Sequence, residues 1–252
     1  MSATVEQHVA LGEEVRTSIK LVEAGLAQLQ RIDGANDFYH LPMLLLANGF
    51  ERLMKTIINL HHLRETGSYP TRKIFPTGRK GHDLVRLLDD IISRCFGPDY
   101  LKRPAALHDV EYLRTDPQLR RLVQLLSDFG QAARYYHLDV VLGGGQETVS
   151  PEQTWQELEL EVLSERSPDW LDRLKGPANL TGIYRDITHD LIVRFEKFAR
   201  ALVRLFTIGD LGDEAKRHTG TIGPFLYLMD GDLGTRDYSK DFRAWRAGRS
   251  KP

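Results

Sequence analysis

The chain has 252 residues, 41% of them hydrophobic and 27% charged, with 34 Lys and Arg against 35 Asp and Glu. A formal net charge of -1 excludes a globally basic nucleic-acid coat, so any contact with a polyanion has to come from a local patch. The single cysteine, Cys95, excludes an internal disulfide and a Cys-rich zinc module. No apolar run approaches the roughly 18 residues of a membrane span. Charges at Glu6, Glu13, Glu14, Arg16, Lys20 and Glu23 leave no signal-peptide core, so no membrane and a cytoplasmic, reducing setting are expected.

Val15, Ile19, Val22, Leu26 and Leu29 step by four and three, which predicts a first helix from about Thr4 to Ile32, stopped by Asp33-Gly34. A second helix is expected from Pro42 to Arg64. Leu46, Phe50, Leu53, Ile57 and Leu60 lie on one side of it, and Glu51, Arg52 and Lys55 on the other. Gly67 to Gly81 reads as loop. Leu84, Leu87, Leu88, Ile91, Ile92 and Cys95 mark a third helix that Gly97-Pro98 ends. A short helical stretch from Ala105 to Leu113 leads, after Asp116-Pro117, to a fourth long helix. Its stripe is Leu119, Leu122, Leu126, Phe129, Ala133, Tyr136 and Val140. Four such helices with no strand alternation predict an all-α, antiparallel helical bundle.

Gly143-Gly144-Gly145 breaks the chain, and 143–153 reads as a linker. It is not a phosphate loop, because no strand precedes it and no Lys-Ser/Thr follows. Trp155 to Leu163 and Asp169 to Leu174 are expected as shorter helices, and Asp186 to Ile208 as a long one. Residues 154–252 are therefore read as a helical C-terminal extension packing on the bundle, with an irregular or short β tail after 209. Phe225 to Met229, ahead of Asp230-Gly231, is the stretch expected as strand.

Three constellations could carry chemistry. The first is the loop holding Arg72, Lys73, Arg79 and Lys80, then Gly81-His82, with no acidic residue between Thr66 and His82. It ends at a predicted helix N-terminus, where backbone N–H groups favour anions. With Arg52 and Lys55 it reads as a phosphate-contacting surface for RNA or a nucleotide, or else as a solvated loop. The second is Arg134 and His137, three apart on the fourth helix and so on one face. A guanidinium can grip a phosphate while an imidazole moves protons near neutral pH, which suffices for metal-free RNA cleavage. The alternative is a surface arginine and a polar packing histidine.

The third constellation is the set of His-Asp dipeptides, His82-Asp83, His108-Asp109 and His189-Asp190. A metal-dependent phosphohydrolase of the HD type would draw on His61 or His62, His82-Asp83 and Asp139. The alternative has Asp83 capping the third helix. No dinucleotide fingerprint or nucleophile elbow is present, so no cofactor and no metal are assigned. Cys95 continues an apolar face and reads as a small buried hydrophobe.

Leu46-Ala47-Asn48-Gly49-Phe50-Glu51-Arg52-Leu53-Met54-Lys55, followed after a loop by Lys80-Gly81-His82-Asp83-Leu84, resembles the central helices of HEPN domains. Ala133-Arg134-Tyr135 is similar to a later Arg-Tyr element of that family, and the resemblance covers about residues 5–142. It implies a four-helix HEPN-like core over 1–142 and a homodimer. It also implies a place in a prokaryotic defence or toxin system, with an antitoxin-like protein partner. Catalytic members are metal-independent ribonucleases with a more widely spaced Arg and His paired across the dimer. Here Arg134 and His137 have two residues between them, and Arg185 and His189 three. The resemblance thus implies an RNA- or nucleotide-binding protein, a ribonuclease if Arg134 and His137 act as its catalytic pair. The alternative is a non-catalytic helical protein that works by self-association or partner binding.

Overall fold

The computed structural model describes residues 5–33, 36–70, 74–144, 149–166 and 177–240. Among these the chain is all-α, with no β-strand. α1 (Val5–Leu29) and α2 (His40–Thr66) pack along their length as a pair. Small residues set their spacing: a Cβ on Gly25 would stand 2.6 Å from Leu46 Cγ, and one on Gly49 2.8 Å from Val22 Cγ2. Close backbone approach at these points brings the polar edges of α1 and α2 within reach of each other. Gly67, at φ 70°, ends α2 by donating its N–H to Leu63 O at 2.8 Å.

α3 (Leu84–Arg94) begins at Asp83, whose carboxylate accepts the Arg86 N–H at 3.0 Å. Leu84 N–H donates to Ser127 Oγ at 3.0 Å, tying this start to α6 (Pro117–Gln131). Between them lie α4 (Pro98–Leu101) and α5 (Pro104–Thr115). Each of α4, α5 and α6 opens on a proline, where the missing N–H costs no intrahelical bond. Asp116 caps α6, accepting from Leu119 N–H at 2.7 Å.

The fourth long helix does not run to Val140. α6 stops at Gln131, Ala132 leaves the helical region at φ -149° and ψ -47°, and Ala133–Tyr135 form a 3-10 turn. α7 (Tyr136–Val141) then follows as a separate short helix. α8 (Pro151–Arg166) begins inside the stretch expected as linker, and α9 (Pro177–Arg204), α10 (Gly212–Lys216) and α11 (Thr219–Leu226) follow. The expected strand at Phe225 to Met229 is corrected: Phe225 and Leu226 lie in α11, and Asp230–Asp232 form a 3-10 turn. The three-residue steps Ile222, Phe225 and Leu228 keep one apolar face toward α9 and α1, and that burial decides the local geometry. The expected helix Asp169 to Leu174 lies outside the described residues.

One continuous core joins the two halves of the chain. Phe50 of α2 stacks on Phe198 and Phe195 of α9, with ring centroids 4.5 and 5.9 Å apart. Tyr39 stacks on Trp155 of α8 at 5.7 Å. Beneath that stack Glu159 is buried, accepting from Trp155 Nε1 at 3.0 Å and Tyr39 Oη at 3.1 Å. Burial raises its carboxyl to about 7, more than these two neutral donors lower it. Among the described residues no helix is long and apolar enough to cross a membrane.

Candidate functional site

α2 buries its apolar side against α1 and carries Asn48, Glu51, Arg52 and Lys55 on one polar edge, at offsets of three, four and seven. This edge floors a pocket of about 370 Å³. Glu14 of α1 closes one side. His82 enters from the 3-10 turn Gly78–His82, and Phe129 and Arg134 come from the end of α6 and the turn beyond it. A Cβ on Gly81 would stand 2.5 Å from Pro76 O, so the tight turn that delivers His82 requires glycine there.

The polar groups divide into two sets. Arg52 Nη1 donates to both Glu14 oxygens at 2.8 and 2.9 Å, and its Nε donates to Asn48 Oδ1 at 2.8 Å. That guanidinium is fixed and neutralised. Glu51 accepts from Lys55 Nζ at 2.6 Å and from His82 Nδ1 at 3.0 Å. A carboxylate accepting at Nδ1 places the imidazole proton there and leaves Nε2 as the basic nitrogen. Nε2 makes no hydrogen bond among the described residues.

Arg134 stands apart from both sets. Its Nε is buried with no acceptor, and it forms no ion pair among the described residues. Its guanidinium lies 5.0 Å from the Tyr135 ring centre, a cation–π contact that supplies no acceptor for Nε. Arg52, Lys55 and Arg134 face Glu14 and Glu51, so the lining carries one cation more than its carboxylates balance, counting His82 as neutral. A concave site with a surplus cation, a guanidinium whose buried Nε has no acceptor and an oriented imidazole is chemically suited to a phosphate.

The structure gathers Arg52, Lys55, His82 and Arg134 of the sequence-derived candidates into this pocket. Arg79 and Lys80 sit exposed on the turn that ends in His82, and Arg79 lines a neighbouring cavity together with Arg121. Arg72 and Lys73 lie outside the described residues. His137 is not in the pocket: it is exposed on α7, with Nε2 3.1 Å from Glu152 Oε1. The shared helical face assumed for Arg134 and His137 is lost because the helix ends between α6 and α7. Glu14, Asn48 and Glu51 were not among the candidates. The four-residue spacing of Glu51 and Lys55 was a usable signal, whereas the pairing of Glu14 with Arg52 across two helices had none.

The other sequence candidates separate. His61 and His62 line a different cavity with Glu65 and Asp90, Asp83 caps α3, and Asp139 lies on α7. Among the described residues no group of three or more His, Cys, Asp or Glu could hold a metal ion. Cys95 is buried, and burial pushes its thiol up to about 12, which removes it as a nucleophile. No family model, curated protein or solved structure matches the chain.

Proposed function

We propose that the pocket at the polar edge of α2 binds a phosphate of RNA or of a nucleotide, and that the chain is a HEPN-like, metal-independent ribonuclease of a defence or toxin system. The observation that carries this reading is Arg134, whose buried Nε has no acceptor, lining one pocket with the His82–Glu51 pair. In this reading His82, not His137, handles the proton. Nε2 of His82 removes the proton of a ribose 2′-hydroxyl, and O2′ attacks the adjacent phosphorus. The bond from phosphorus to O5′ breaks, and the imidazolium returns the proton to O5′. The products are a 2′,3′-cyclic phosphate and a 5′-hydroxyl. Arg134 and Lys55 stabilise the charge that builds on the phosphorane oxygens, and Glu51 holds the imidazole tautomer and orientation.

The test is RNA binding measured by fluorescence anisotropy beside cleavage in excess EDTA. Arg134→Ala is expected to weaken binding about tenfold, the scale of one charge-assisted hydrogen bond. His82→Ala is expected to bind as the wild type does and to cleave nothing. Unchanged RNA affinity in Arg134→Ala overturns the pocket assignment.

One observation favours the second, non-catalytic reading. Leu138, Val140, Val141 and Leu142 on and after α7 are exposed, Val141 at 80%. A contiguous apolar edge of this kind suits a second copy of the chain or an antitoxin-like protein. Light scattering of the wild type and Val141→Asp separates the outcomes: a dimer that the substitution dissolves supports self-association. A monomer in both removes self-association as the role of this edge.

A further inference from the structure

A second cavity, of about 490 Å³, lies away from the α2 edge, between α5, the C-terminal half of α9 and the turn Asp230–Asp232. Lys197, Arg200 and Arg204 line it from one face of α9, at offsets of three and seven. Like charges at these spacings repel, so the helix pays for the arrangement unless anions answer it. Two carboxylates do so in part. Arg204 Nη1 donates to both oxygens of Asp109 at 2.9 and 3.1 Å. Arg200 donates from Nη2 to Asp230 at 2.7 Å and from Nη1 to Leu228 O at 3.0 Å.

The balance is incomplete in three respects. Arg200 is only 7% exposed, and its Nε is buried with no acceptor. Lys197 pairs with no carboxylate among the described residues, its Nζ lying 5.9 Å from the Tyr112 ring centre. Asp230 is 88% exposed in its side chain, so its hold on Arg200 is that of a surface pair, worth little against a competing anion. The remaining wall is largely apolar, with Ala105, Tyr112, Val193 and Leu233, and carries one imidazole, that of His108. Tyr112 donates its hydroxyl to Arg194 O at 2.9 Å, which holds its ring in place.

We infer that this cavity is a binding site for a small phosphate monoester with a planar, apolar body. The phosphate would take the Lys197–Arg200 end, displacing Asp230 from Arg200, and the body would lie along Tyr112 and Leu233. The volume falls within the range of small-molecule sites. A phosphate dianion matches the surplus cation plus the one that Asp230 would release. The inference is independent of the ribonuclease reading, since none of its residues lines the α2 pocket.

The experiment is calorimetric titration of the full chain with phenyl phosphate and with inorganic phosphate. Each is run on the wild type and on Arg134→Ala, so that binding at the α2 pocket is subtracted. Phenyl phosphate is expected to bind about tenfold more tightly than inorganic phosphate, from the area its ring buries. Lys197→Met is expected to weaken phenyl phosphate about tenfold. Asp230→Asn, which removes the competing carboxylate, is expected to strengthen it about threefold. Opposite shifts from two substitutions in one cavity are not the signature of a general loss of fold, which circular dichroism checks for each protein. The inference is overturned if neither ligand binds at millimolar concentration, if both bind equally, or if Lys197→Met and Asp230→Asn leave affinity unchanged.

Discussion

Glu51 and Glu159 are both held by two hydrogen-bond partners, yet their surroundings differ. Glu51 lies at a pocket wall, and its partners are the ammonium of Lys55 and the imidazole of His82. Glu159 lies in the core, and its partners are the neutral N–H of Trp155 and hydroxyl of Tyr39. A carboxylate among titratable partners at a cavity can move or direct a proton. One among neutral donors in an apolar core binds helices together and carries a desolvation cost. The contrast teaches that burial and hydrogen bonding alone do not separate two carboxylates; the partners' chemistry and the access of a ligand do, and on these the proposed role of Glu51 rests.

The largest expected effect breaks the comparison on the Glu51 side. His82→Ala should take RNA cleavage below detection, a loss of about a hundred- to ten-thousandfold on the scale of general acid–base catalysis, with little change in melting temperature because His82 is a partly exposed turn residue. Glu51→Gln keeps an acceptor for Nδ1 but removes the charge, and its loss should be smaller. Gel-resolved cleavage rates check both.

The next effect reads Glu159 by pH. Its carboxyl is raised from 4.5 to about 7, so between those values the folded chain keeps a proton that the unfolded chain has released. The associated stability is full below pH 4.5 and is lost as pH rises through 7, about 3 kcal/mol by linkage. Urea unfolding of the wild type and Glu159→Gln from about pH 5 to about pH 8 should show the two curves diverge with rising pH, the variant being the flatter. Smaller again, Glu159→Ala should cost about 2 kcal/mol near pH 5, because the Trp155 and Tyr39 donors are left buried and unpaired. The smallest effect is that of His137→Ala. It removes an exposed contact with Glu152, so stability should change by less than about 0.5 kcal/mol and cleavage not at all.

Much of the fold was legible because the first three long helices bury stripes spaced by three and four, and Asp33-Gly34 and Gly97-Pro98 punctuate them. The end of α6 was not legible. Ala132, Ala133, Arg134 and Tyr135 contain no glycine or proline, and Ala133 and Tyr136 continue the apolar stripe past the break. That one unmarked turn leaves His137 outside the pocket that Arg134 lines. His82 and Arg134 were legible as chemistry-bearing residues. Their meeting in one pocket, with Glu51 and His82 hydrogen-bonded 31 positions apart, is a tertiary fact without a local signal. The burial of Glu159 was hidden for a related reason. Trp155, Leu158 and Val162 mark the buried face of α8, but a glutamate within that stripe reads as solvent-facing until Tyr39 is seen to cover it.

The central claim is that His82, and not His137, carries the proton in a metal-free reaction on RNA. Its most direct test is incubation of wild type, His82→Ala and His137→Ala with a mixed RNA pool in excess EDTA, with the product end groups identified. The account predicts cyclic or 2′/3′-phosphate ends from the wild type and His137→Ala alike, and none from His82→Ala. Cleavage that survives His82→Ala but disappears in His137→Ala would contradict it, as would the absence of any metal-free cleavage by the wild type.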